Sequence, residues 1–105
     1  MVFFNWFDLA SRKQQTDEIS RAIAGEQITI DWHEADKQDK LNSIAERKAL
    51  AAQKRPELSN EEARQWFDHY EGEAINWLEQ CIQWNEQYII HARNNIVYHQ
   101  HRQRR

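Results

Sequence analysis

The C-terminal half of the chain has a regular alternation of apolar and polar residues that predicts a long helix. Its apolar residues recur in steps of three and four: Phe67, Tyr70, Ala74, Trp77, Cys81, Trp84 and Tyr88. This spacing is the heptad pattern of helices that pack side by side. Ser59 followed by Glu62 is a capping-box signature for the start of a helix. We therefore predict one long helix over about 60–98, followed by a polar, basic tail at 99–105.

A second apolar stripe lies beside the first and is formed by Trp66, Ile75, Leu78, Ile82, Ile89 and Ile96. Gly72 interrupts this region and costs a helix about 1 kcal/mol relative to alanine. A break there would let the chain fold back into a monomeric bundle. An unbroken helix would be about 58 Å long, whereas a compact domain of this size is only about 35 Å across. We favour the unbroken helix, whose aromatic surface then needs a second chain.

Three segments precede the long helix. Residues 1–25 are predicted to form an N-terminal helical region that stops at Gly25, because a glycine just past the last turn is a common helix end. Residues 27–32 alternate apolar β-branched and polar side chains, which indicates a short strand or an extended connection over 26–32. Residues 33–54 carry acids early, bases late and a thin apolar stripe, which is typical of a helix lying on one neighbour.

The composition favours an all-α protein. Two glycines and one proline in 105 residues are too few for the turns of an all-β fold. We therefore predict a single helical domain over 1–105, a bundle of 3–4 helices dominated by the C-terminal one. The lone cysteine, Cys81, excludes an internal disulfide and favours a cytoplasmic location. The sequence indicates neither a secretory signal nor a membrane span.

Charge is split along the predicted long helix. Residues 57–86 contain eight acids and one base, whereas residues 87–105 contain four arginines, three histidines and no acid. The helix dipole favours this order but acts only over the terminal turns. An antiparallel homodimer would set each acidic half beside the basic end of its partner. We therefore predict a homodimer, antiparallel if it forms through residues 60–98.

The chain shows no catalytic constellation, so we predict no catalytic, cofactor-binding or metal-binding residue. The predicted function is a non-enzymatic protein–protein interaction module that self-associates through its aromatic residues. A sharper form of this hypothesis is an inhibitor of a larger protein, of the immunity or anti-defence type. The candidate partner-binding residues are the aromatic anchors and nearby acids: Trp66, Phe67, Tyr70, Trp77, Trp84, Tyr88, Glu71, Glu73 and Glu79.

A small dimeric nucleic-acid-binding regulator is one alternative. The strand–helix–helix order starting at Gln27 resembles the ribbon-helix-helix layout of small dimeric DNA-binding proteins. That resemblance implies base contacts from Gln27, Thr29 and Asp31. An acid at the third position suits DNA poorly, so nucleic acid is the less favoured partner.

A Mg²⁺-dependent helical hydrolase is the other alternative. Carboxylates spaced three residues apart could supply oxygen ligands from facing helices. The chain has three such pairs: Asp31 with Glu34, Asp36 with Asp39, and Asp68 with Glu71. Acids near helix N-termini and on wet faces explain the same spacing without a metal, and we favour that interpretation.

Overall fold

A computed structural model describes the backbone of residues 6–104 and the side chains of residues 9–104. Helix α1 spans Trp6–Lys54, a 3-10 turn spans Arg55–Glu57, and helix α2 spans Glu61–Gln103. The start of the predicted N-terminal helix, residues 1–5, and the last residue of the tail lie outside the described part of the chain.

The all-α class is confirmed, but the predicted bundle of 3–4 helices is wrong, because the described residues form only two α-helices. The predicted strand or extended connection at 27–32 is also wrong, since α1 runs through it. Ile28 is 69% exposed while Ile30 is 4% exposed, and the Thr29 hydroxyl donates to the Gly25 carbonyl at 3.2 Å, one helical turn back. A short apolar–polar alternation fits a helix as well as a strand when only one of its apolar residues is buried.

Both glycines lie inside helices. Gly25 does not end α1, and Gly72 does not break α2. A Cβ built at either position would meet nothing within 4 Å, so the absence of a side chain is not needed for close packing. A glycine penalty of about 1 kcal/mol is small beside the packing of a long helix.

Helix α2 agrees with the predicted helix at 60–98 but begins and ends later. Its N-cap is Asn60, whose Oδ1 accepts a hydrogen bond from the backbone N–H of Ala63 at 2.7 Å. The cap is therefore one residue beyond the Ser59 that the capping-box pattern indicated. Within the described residues, neither helix holds an apolar stretch long enough to cross a bilayer.

The chain divides into two compact units, each built from a segment of α1 and a segment of α2. Unit 1 comprises Met1–Asp31 and Tyr88–Arg105. Its core is a small cluster of Ile30, Ile89 and Ala92, against which Ile96 packs. The half-buried amide of Asn95 donates to Glu26 at 3.1 Å.

Unit 2 comprises Trp32–Gln87 and is an antiparallel hairpin around the 3-10 turn. Three ion pairs join its helices in reversed order along the chain: Lys37–Glu86, Arg47–Glu71 and Arg55–Asp68. Among its described residues, Ile82 and Asn85 alone are buried. The contact between the helices of unit 2 is therefore narrow, and much of the surface of this unit is exposed to solvent.

Candidate interaction surface

Four large aromatic side chains of α2 form one exposed row in unit 2, which we call the aromatic stripe. Its members are Trp66, Tyr70, Trp77 and Trp84, and they are 55%, 64%, 61% and 67% exposed. Spacings of four and seven residues place them on one face of an α-helix. Each is a predicted partner-binding residue, and the structure brings all four together on this face.

The predicted apolar row separates into an exposed part and a part turned towards α1. Phe67, Ala74 and Cys81 are half-buried, whereas the aromatic stripe is exposed. The buried row of α2 in unit 2 instead contains Ile82 and Asn85. The heptad pattern therefore located the helix correctly but combined two adjacent faces, which differ by only one position in each heptad.

The N-terminal end of the aromatic stripe is a packed cluster of rings. Trp66 and Tyr70 stack with centroids 5.9 Å apart and planes at 26°. His69 meets both rings edge-on, at 6.1 Å from Trp66 and 5.6 Å from Tyr70. Rings that brace each other lose little conformational entropy on binding, which favours their use as anchors.

Two other predicted aromatic anchors lie elsewhere. Phe67 lines a shallow groove of about 220 Å³ between the helices of unit 2, together with Leu50 and Ala51. Tyr88 belongs to unit 1 and is 49% exposed. The aromatic stripe of unit 2 therefore consists of four of the six predicted aromatic anchors.

The three predicted acidic contact residues also differ in whether they form an ion pair. Arg47 holds Glu71 through two hydrogen bonds, Nε to Oε2 at 3.3 Å and Nη2 to Oε1 at 3.2 Å. Glu73 and Glu79 are exposed, and no ion pair in the described part of the chain involves them. Glu71 thus stabilises the hairpin, whereas Glu73, three residues from Tyr70 and four from Trp77, lies within the aromatic stripe.

Bases of α1 and of the 3-10 turn pair with three of the eight acids in residues 57–86. Besides the Arg47–Glu71 pair, Lys37 Nζ lies 3.2 Å from Glu86 and Arg55 binds Asp68 at 3.1 Å. The hydrogen bonds and charge of Asp68 raise the pKa of Arg55. Part of the acidic stretch of α2 is thus paired within the chain. The charge split along α2 is no longer sufficient reason to expect an antiparallel homodimer.

A polar network joins the two helices of unit 2 at the end of the hairpin away from the turn, and sequence reasoning missed it. The Asn85 amide donates to Asp36 Oδ2 at 3.0 Å, so its Oδ1 faces His33 Nδ1 at 2.7 Å. Because Oδ1 can only accept, Nδ1 of His33 must carry the hydrogen. The Asn85 hydrogen bond, supported by Lys40 and His33, lowers the pKa of Asp36 despite partial desolvation. This network fixes how the two helices align, as single buried asparagines do in coiled coils.

The residues on which the two alternative functions depend do not have the arrangement that either function requires. Gln27 and Asp31 are joined by a hydrogen bond of 3.0 Å on helix α1, so the ribbon of the DNA-binding layout is absent from this described segment. Of the paired carboxylates, Asp36 contacts Lys40 at 3.2 Å and Asp68 is bound by Arg55. Within residues 9–104, no three histidine, cysteine or acidic side chains come together as a possible metal site.

A scan against protein-family models finds no match, and searches of curated proteins and of solved structures find none either. We therefore interpret the aromatic stripe from its own geometry and chemistry.

Proposed function

We propose that this protein is a non-enzymatic interaction module that self-associates through the aromatic stripe. One observation carries the proposal. Four large aromatic side chains on one face of unit 2 are each more than half exposed, while Ile82 is the one buried hydrophobic side chain among the described residues of that unit. Large apolar side chains gain most from burial, so such a distribution is typical of a surface that binds protein.

The exposed aromatic area is a substantial part of what an interface needs. An aromatic side chain buries about 150–250 Å² when fully covered, so the exposed parts of the four rings sum to roughly 500 Å². Trp32 and Leu50, which are 63% and 55% exposed, add further apolar surface to unit 2. A standard interface covers about 800 Å² per partner, so the four rings supply roughly 60% of that area.

A second copy of this chain fits the surface well. The aromatic stripe is straight, lies on one helix and follows heptad spacing, so its natural counterpart is another helix with the same spacing. A second copy presents that helix without any further requirement. In a two-fold dimer, each aromatic ring of the stripe would then occur twice in the interface, once from each copy.

Sedimentation equilibrium at micromolar concentration tests the proposal on the full chain. We expect a dimer for the native sequence and a monomer for Trp77→Ser, because Trp77 is one of the two inner rings of the stripe. Tyr98→Ser is the matched control, since Tyr98 is 61% exposed but belongs to unit 1. A native chain that stays monomeric would contradict the proposal, as would equal loss of the dimer in both variants.

A further inference from the structure

The aromatic stripe is part of a longer exposed row with unbroken heptad spacing. Two polar residues, Glu73 and Gln80, fill the positions between its rings and are themselves exposed. The complete row advances in steps of four, three, four, three and four: Trp66, Tyr70, Glu73, Trp77, Gln80 and Trp84. Six successive exposed positions of this kind form a complete contact row for one partner helix.

Resting on the proposed self-association, we propose that the second copy packs antiparallel, with the two-fold axis beside residue 75. In antiparallel heptad packing, the two kinds of row position face each other across the interface. With the axis beside residue 75, any two facing residues have numbers that add to about 150. Trp66 then meets Trp84 of the second copy, and the same contact recurs at the other end of the row.

Each layer of this arrangement is chemically complementary. Trp66 and Trp84 of the second copy bring two aromatic faces together. Tyr70 meets Gln80 of the second copy, where a phenol and an amide can exchange hydrogen bonds. Glu73 meets Trp77 of the second copy, so the indole N–H can donate to a carboxylate, a charge-assisted hydrogen bond. Every member of the row thus has a suitable counterpart.

Other arrangements of the same two helices satisfy fewer of these groups. Parallel packing sets each residue against its own copy, so Glu73 would face Glu73 of the second copy and the two carboxylates would repel. Shifting the antiparallel copies by one heptad moves either Trp66 or Trp84 beyond the row of the partner. The axis beside residue 75 therefore uses all four rings and offsets the two Glu73 residues by about 6 Å along the helices, so that they do not face each other directly.

Helix α1 does not compete for this surface. The α2 residues that face α1 in the hairpin include Asn85, bonded to His33 and Asp36, and Glu71, bonded to Arg47. None of these α2 residues belongs to the exposed row. A second copy can therefore cover the row while the hairpin of unit 2 stays intact.

Distances between spin labels on the full chain test the register. Two single-cysteine variants, Glu62→Cys and Asn76→Cys, are made in a Cys81→Ala background, which removes the only native cysteine. Both label positions are exposed and lie off the row. With the axis beside residue 75, the labels at 76 should be about 20 Å apart or less, and those at 62 about 40 Å apart, from the helical rise and a helix separation near 10 Å.

Short distances at both positions would show a parallel dimer and overturn the register while leaving self-association intact. A label pair at 62 closer than the pair at 76 would overturn it as well. A monomeric chain in the absence of labels would instead overturn the proposed function on which the register rests. Glu73→Gln supplies a second measurement: we expect dimerisation to weaken about three- to tenfold, whereas parallel packing predicts that it strengthens.

Discussion

Asn85 is the one buried polar side chain among the described residues. It is 4% exposed, and its amide joins His33 and Asp36 of the opposite helix. A buried amide keeps its place only where both its donor and its acceptor find partners. The sequence contained a signal for it, because Asn85 follows Ile82 by three positions and precedes Ile89 by four, and so falls on the same stripe.

Replacing Asn85 with alanine should lower the free energy of unfolding by about 1–3 kcal/mol, because His33 and Asp36 would lose their partner inside the contact between helices. Chemical denaturation followed by circular dichroism measures this change. Asn76→Ala is the matched control, since it makes the same substitution at an exposed position of α2. It should change stability by no more than about 0.5 kcal/mol. Similar effects for both variants would show that the network contributes little.

Asp36 should make part of the stability dependent on acidity. Its pKa in the folded protein is below the ordinary value of 3.8, chiefly because Asn85 donates to it. The unfolded chain then binds more protons near that pH, so the contribution of Asp36 is present above 3.8 and is lost as the pH falls through the folded value. Denaturation midpoints measured from neutral pH down to about pH 2 should fall less steeply for Asp36→Asn than for the native protein. An unchanged slope would contradict this assignment.

Among the elements, α2 could be predicted and α1 could not. The aromatic and aliphatic repeat of α2 is long enough for its period to be unambiguous, and Gly72 adds only a small penalty. In α1 the polar stretch after residue 10, Gly25 and the alternation at 27–32 each suggested an interruption. At 27–32, α1 packs on α2 through Ile30 against Ile89. Such contacts between distant residues are not visible in a local pattern.

The start of α2 gives a prediction at the same scale. Asn60→Ala should destabilise the protein by about 1 kcal/mol, because the first turn loses the side-chain acceptor of its Ala63 N–H. Ser59→Ala is the matched control one residue earlier and should have little effect, as α2 begins at Glu61. Urea denaturation of the two variants separates them. A larger loss of stability for Ser59→Ala would show that Ser59, the residue that the sequence pattern indicated, is the N-cap.

At the scale of the whole molecule, self-association should stabilise the folded chain. Partner binding to the native state alone raises the midpoint of thermal unfolding as protein concentration rises. We expect that dependence for the native protein and its disappearance in Trp77→Ser. Thermal unfolding at several concentrations measures both. A native midpoint that is independent of concentration would argue that folding and association are separate.

The sequence was sufficient to name the residues of the candidate surface, but not to say which of the predicted aromatic residues are exposed. Trp66, Tyr70, Trp77 and Trp84 were identified from the sequence as anchors, and the structure puts them on one exposed face. Their separation from the half-buried Phe67 depends on which way α2 turns towards α1. That rotation turns Phe67 towards Leu50 and Ala51 of α1, and no repeat within α2 encodes it.

The exposure of the tryptophans has a spectroscopic consequence. Trp32, Trp66, Trp77 and Trp84 are all more than half exposed, so in the isolated chain their indole rings relax against water and emit at long wavelength. Covering the aromatic stripe would move the emission of three of these rings to shorter wavelength and shield them from acrylamide. The intrinsic tryptophan fluorescence of the unlabelled protein can therefore report when that face is occupied.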